Sequence, residues 1–101
     1  MLPIVWSRTA RVDLQGIVRY FIANHRDPVA GRRIYDEIID RVEQPAAGIL
    51  VGHSHPDAPA SWLYVQHKRW LIFYRVDEFG LYVMRVVDAV RDLPSLLSEA
   101  D

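Results

Sequence analysis

The sequence predicts an α+β domain in which a short N-terminal strand precedes a two-helix antiparallel hairpin. The hairpin packs on one face of a mainly antiparallel sheet that a three-stranded meander closes. Two observations carry this. Apolar residues between Ser7 and Gln44 recur at helical spacing, whereas after Ser61 they run in short β-branched and aromatic stretches separated by turns. A Gly- and Pro-rich segment divides the halves. With 101 residues, 50% hydrophobic and 25% charged, the chain suits one domain, residues 1–101, around one core.

Pro3 to Trp6 is a short apolar run compatible with an edge strand, because Pro3 has no N–H to donate. Ser7 follows as a helix cap. Ala10, Leu14, Ile17, Val18 and Phe21 then recur on one helical stripe, with Gly16 inside it at a cost of up to about 1 kcal/mol relative to alanine. Asp27 caps a second helix with Pro28 at its first position. Its stripe is Val29, Ile34, Ile38 and Val42, widened by Tyr35 and Ile39, and Pro45 is expected to end it. The loop PAAGILVGHSHPDAPAS leads to strands over Ser61–Gln66, Arg69–Val76 and Gly80–Val90, joined by turn-sized gaps. The tail has room for a helical turn after Pro94.

A net charge of −1 suggests no attraction to nucleic acid or an anionic membrane, and no sequence-specific nucleic-acid binding is expected. The absence of cysteine excludes disulfides and thiolate chemistry. No signal-peptide pattern opens the chain and no apolar run approaches the roughly 20 residues that span a bilayer, so a cytoplasmic location is expected. His53, His55 and Asp57 could ligate a metal, but with no second ligand cluster a polar loop is the better reading. No cofactor is expected. His25 and His67 fall at turns and are expected in solvent.

The last hairpin is apolar on both faces. If Val76 pairs with Leu81, one face carries Trp70, Ile72, Tyr74, Val76, Leu81, Val83, Arg85 and Val87, and the other Leu71, Phe73, Arg75, Tyr82, Met84 and Val86. Two helices cover one face, so the other is expected to be an apolar patch open to a partner. The alternatives are that the loop or the chain ends fold over it, or that a homodimer buries it.

With elements in this order, the chain resembles the ParE/RelE superfamily of bacterial toxins, and in particular the ParE-like members of type II toxin–antitoxin systems. The resemblance rests on Ala10, Asp13, Leu14, Ile17 and Tyr20 in the opening helix, on WLIFYRV, and on RVVDAVRDLP. It implies a toxin held in a hetero-oligomer by a cognate ParD-like antitoxin, which wraps it through an extended and a helical segment. ParE-like members poison DNA gyrase without an established active site; RelE-like members are ribosome-dependent messenger RNA endoribonucleases. The tail after Arg91 has no tyrosine, histidine or lysine, and Asp88 stands where many relatives carry histidine. A carboxylate there would repel phosphate charge, which favours a non-enzymatic gyrase inhibitor over a ribonuclease. A non-catalytic interaction module is the third reading.

No catalytic or metal residue is assigned. The candidate partner-binding residues are Phe73, Arg75, Tyr82, Met84, Arg85 and Arg91. Arginine forms bidentate pairs with carboxylates, which suits an acidic partner. The competing explanation for each arginine is an ordinary surface pair with Asp77, Glu78, Asp88 or Asp92, worth about 0–1 kcal/mol. Arg75 and Arg91 are the better candidates, since they lie in the stretches that carry the resemblance.

Overall fold

The structure is a computed structural model that describes residues 1–98. Its elements are β1 (Ile4–Trp6), α1 (Arg8–His25), α2 (Pro28–Ala46), β2 (Leu63–His67), β3 (Trp70–Asp77), β4 (Gly80–Asp88) and α3 (Leu93–Ser98). The sheet order is β1-β4-β3-β2, with β1 parallel to β4 and the other pairs antiparallel.

The local signals account for the helices. The Ser7 hydroxyl accepts from the Ala10 N–H at 3.0 Å, and the Asp27 carboxylate accepts from the Val29 N–H at 2.9 Å, each satisfying a free first-turn donor. Arg26, at φ 49°, supplies the left-handed residue that stops α1. The helices approach closely at Gly31, where a Cβ would lie 2.5 Å from Ile22 Cγ1. Pro45 does not end α2. It is buried in the last turn, and the helix closes one residue later through the Ala47 N–H to Glu43 O bond of 2.9 Å. Val29, expected on the buried stripe, is 60% exposed; Gly31, Ile34, Ile38 and Val42 form the stripe.

Val76 pairs with Leu81 as the turn implied, but a β-bulge shifts the register between Phe73 and Tyr74. Phe73 faces Arg85 while Tyr74 faces Val83, so Met84 is the extra residue. Beyond it alternation reverses: Val86 joins the helix-side core with Ile72, Tyr74 and Val83, and Val87 joins the opposite face with Leu71, Phe73 and Met84. Each buried aliphatic or aromatic side chain contributes about 1.5–3 kcal/mol.

That opposite face is not open, contrary to expectation. Leu93 and Leu97 of α3 and Trp62 from the loop before β2 seal it, leaving Phe73 fully buried and Met84 9% exposed. The loop is held by three hydrogen bonds. Its Gly52 N–H donates to Tyr74 Oη at 2.8 Å, and His53 and Tyr64 exchange backbone bonds of 2.9 and 2.7 Å. Gly52 is required here, since a Cβ would meet Tyr64 O at 2.5 Å. Burial raises the Tyr74 hydroxyl above its ordinary pKa, and the Gly52 N–H only partly offsets that.

Candidate partner-binding site

Of the six residues singled out, Phe73, Met84 and Arg85 are engaged within the chain. The Arg85 side chain is 8% exposed. Its Nε and Nη2 donate to the Asp13 carboxylate at 2.8 and 3.2 Å, and Nη1 donates to Leu96 O at 2.6 Å. Asp13 Oδ2 also accepts from the Val86 N–H at 3.0 Å, and Ser7 Oγ donates to Met84 O at 3.1 Å. The backbone groups that the bulge frees from the ladder are thus satisfied from α1 and its cap. Arg85 joins α1, β4 and α3; its partner, Asp13, was not among the carboxylates weighed from sequence.

Arg75 and Tyr82 stay accessible. They face each other across β3 and β4, and the guanidinium lies 4.2 Å from the ring centroid, within cation–π range. Asp77 lies 3.7 Å from Arg75, and Val5, 48% exposed, pairs with Tyr82 from β1. Arg91 is exposed at the turn before α3, near enough to Asp88 for its charge to help hold that carboxyl below its ordinary pKa. The six therefore form no single surface.

Asp88 is 7% exposed and structural. It accepts from Arg69 Nε at 2.8 Å and from the Val90 N–H at 3.1 Å. Burial pushes its carboxyl up, but Val90 and Arg69 more than offset this and leave it below its ordinary pKa. The same pair raises Arg69. His67 is not simply in solvent: its Nε2 lies 2.6 Å from Glu37 Oε1, and Lys68 Nζ lies 3.1 Å from the same oxygen. The His67 hydrogen bond is the main cause of a lowered Glu37 pKa; desolvation opposes it and Lys68 assists it. His55 packs edge-on against Tyr64 and Phe73, and its Nδ1 accepts from the Asp57 N–H at 3.1 Å. Among the described residues no three His, Asp or Glu side chains converge as metal ligands.

The surface that sequence reasoning missed lies beside β1. Away from Gly31, α1 and α2 part over Trp6, leaving a groove of about 600 Å³. Leu14, Val18, Tyr35 and Ile39 form its apolar walls, and Arg11, Gln15 and Arg19 line it at i, i+4, i+8 along α1. Among the described residues no carboxylate lines it.

The groove adjoins an open sheet edge. The Leu81 N–H donates to Pro3 O at 2.8 Å and the Ser7 N–H to Val83 O at 3.0 Å. These bonds, with the parallel register, turn the Val5 peptide groups toward β4 and those of Ile4 and Trp6 away from it. No backbone group of the described residues pairs with Ile4 or Trp6 on that side. An extended segment could add there as a strand and an amphipathic helix could continue in the groove, both recurring recognition modes. The signal available in sequence was the Arg11–Gln15–Arg19 spacing beside a strand too short to close an edge.

A protein-family model described as the ParE toxin of type II toxin–antitoxin system, parDE, matches residues 4–93. Among solved structures, one titled as the chromosomal ParDE TA system from P. aeruginosa is similar, with a TM-score of 0.73 and 16% sequence identity. The match covers 87% of this chain and 96% of that chain, and shows a shared fold. No curated protein sequence matches significantly. Among the described residues, no helix is long and apolar enough to cross a membrane.

Proposed function

The chain belongs to the ParE toxin family of type II toxin–antitoxin systems, and on that premise we propose that it inhibits DNA gyrase and is neutralised by a ParD-like antitoxin. Residues 1–101 act as one toxin domain in the cytoplasm, by binding rather than by catalysis. The antitoxin adds an extended segment to the open edge of β1 and lays the apolar side of a helix in the groove over Trp6. The observation that carries this is the continuity of the two features. Unpaired Ile4 and Trp6 peptide groups run directly into an apolar groove lined by Arg11 and Arg19, which suits a partner whose apolar stripe is flanked by carboxylates. Engagement of Asp88 by Arg69 and Val90, where a ribonuclease would want an acid, base or cation, favours binding over RNA cleavage.

The test is expression of the chain alone, with purified gyrase assayed for supercoiling as protein is added. Growth arrest with inhibited supercoiling or trapped DNA cleavage is the expected result. Arrest with intact supercoiling and cleaved messenger RNA in a translating extract would replace gyrase by the ribosome. The antitoxin site is tested by Ile39→Glu, which places a carboxylate in the groove wall. It should weaken antitoxin binding at least tenfold while gyrase inhibition persists; unchanged antitoxin affinity would remove the groove from the interface.

A further inference from the structure

A second surface lies on the other flank of α1, and it shares no residue with the groove. Val12, Gly16 and Tyr20, at i, i+4, i+8, form one wall of a cleft of about 370 Å³, which Arg69, Trp70 and Arg91 also line. Val12 is 56% and Tyr20 47% exposed, so the chain leaves apolar area here uncovered.

Gly16 is the most informative residue. Glycine in the middle of a helix is destabilising relative to alanine. At Gly31 the close approach of Ile22 explains the choice, but a Cβ on Gly16 would meet nothing within 4 Å. The chain's own packing therefore gives no reason for glycine at the centre of the exposed wall. Close approach by an outside backbone does.

Charge indicates what approaches. The carboxylates in the cleft are already engaged, Asp13 by Arg85 and the Val86 N–H, and Asp88 by Arg69 and the Val90 N–H. The Arg69 side chain, over the Tyr20 and Trp70 rings, is still 52% exposed and Arg91 is exposed near Asp88, so with Arg85 three guanidiniums line the cleft against two carboxylates. The rim is thus positive. In the wall, Trp70 is 6% exposed and its indole N–H has no hydrogen-bond acceptor among the described residues. A buried unsatisfied donor is unfavourable, and an acceptor brought by a partner would relieve it.

We infer that this cleft is the docking surface for the toxin's target, and that it receives a carboxylate-bearing segment whose backbone passes closely over Gly16. The inference rests on the gyrase reading above, and it separates target from antitoxin: opposite flanks of α1 serve the two partners.

The test uses the full chain, purified gyrase and the cognate antitoxin. Gly16→Leu fills the cleft with a better helix former, and Arg91→Glu reverses the rim charge at an exposed position whose folding risk is small. Each should raise the concentration needed to inhibit supercoiling at least tenfold. Antitoxin affinity should stay within twofold, and the thermal midpoint of Gly16→Ala and Gly16→Leu should be equal to or above that of the unaltered chain. Wild-type inhibition by both variants would overturn the inference and leave the gyrase reading intact. Loss of antitoxin affinity with retained gyrase inhibition would overturn it too, by assigning the cleft to the antitoxin. Failure of the unaltered chain to inhibit gyrase would overturn both.

Discussion

The sheet has two edge strands, and the chain treats them differently. The β2 edge is closed: His53 pairs with Tyr64, Gly52 is pinned to Tyr74, and Arg41 Nε donates to Gln66 O at 3.0 Å. The β1 edge, only three residues long, keeps the Ile4 and Trp6 peptide groups unpaired beside an apolar groove. Unprotected edges invite pairing with other chains, and proteins ordinarily block them. A chain that blocks one edge with three separate contacts and leaves the other open beside a groove has the second available for a partner.

The hardest test of this contrast is Phe73→Ala. The loop that closes the β2 edge also carries Trp62 onto Phe73, so the edge and the second core cluster are one structure. Loss of a fully buried phenylalanine should cost about 3–5 kcal/mol in urea unfolding and raise amide exchange across β2. A cost below about 1 kcal/mol would mean the loop is not anchored and the β2 edge is open as well.

Arg85→Ala should come next. It leaves the Asp13 carboxylate without its guanidinium at the bulge that neighbours β1, and should cost about 3 kcal/mol. Exchange should rise in β1 and β4 more than in β2; the reverse order would show that Asp13 and Arg85 do not hold the β1 side together. Gly52→Ala attacks the other edge, forcing a Cβ against Tyr64 O, with an expected cost of about 2 kcal/mol. Gly52→Ala should lower the thermal midpoint, whereas Gly16→Ala should leave it equal to or above that of the unaltered chain.

The smallest effect is acid dependence. Glu37 holds the far end of β2 through His67 and Lys68, and Asp88 holds the end of β4 through Arg69. Both carboxyls titrate below their ordinary values when folded. Their stabilisation is therefore complete above the unfolded carboxylate range, about pH 4 to 5, and is lost as pH falls through the lowered folded values. Glu37→Gln should flatten part of that acid limb of the melting-temperature profile, and an unchanged limb would show that the Glu37 contacts contribute nothing to it.

Much of the fold was legible because the signals are local. Ser7 and Asp27 cap where capping residues should, and the DEFG turn fixed the Val76–Leu81 pairing, from which the Arg75–Tyr82 contact follows. The bulge was not legible, since no residue pattern requires it, and it moved Val86 and Val87 to opposite faces. The cover over Phe73 stood only as an alternative to an open face, because it comes from a loop and a six-residue helix, neither of which has a periodicity to read. The site was less accessible still. Asp13 and Arg85 lie 72 residues apart, and the groove depends on how α1 and α2 diverge over Trp6 rather than on either helix alone.

The open edge is tested most directly by residue-resolved amide hydrogen exchange on the free chain and on its complex with the cognate antitoxin. In the free chain the Ile4 and Trp6 amides should exchange quickly while those of Val5 and Ser7, bonded to β4, exchange slowly; in the complex all four should be slow. Slow exchange at Ile4 and Trp6 in the free chain, or continued fast exchange in the complex, would contradict the assignment of β1 and its groove to the antitoxin.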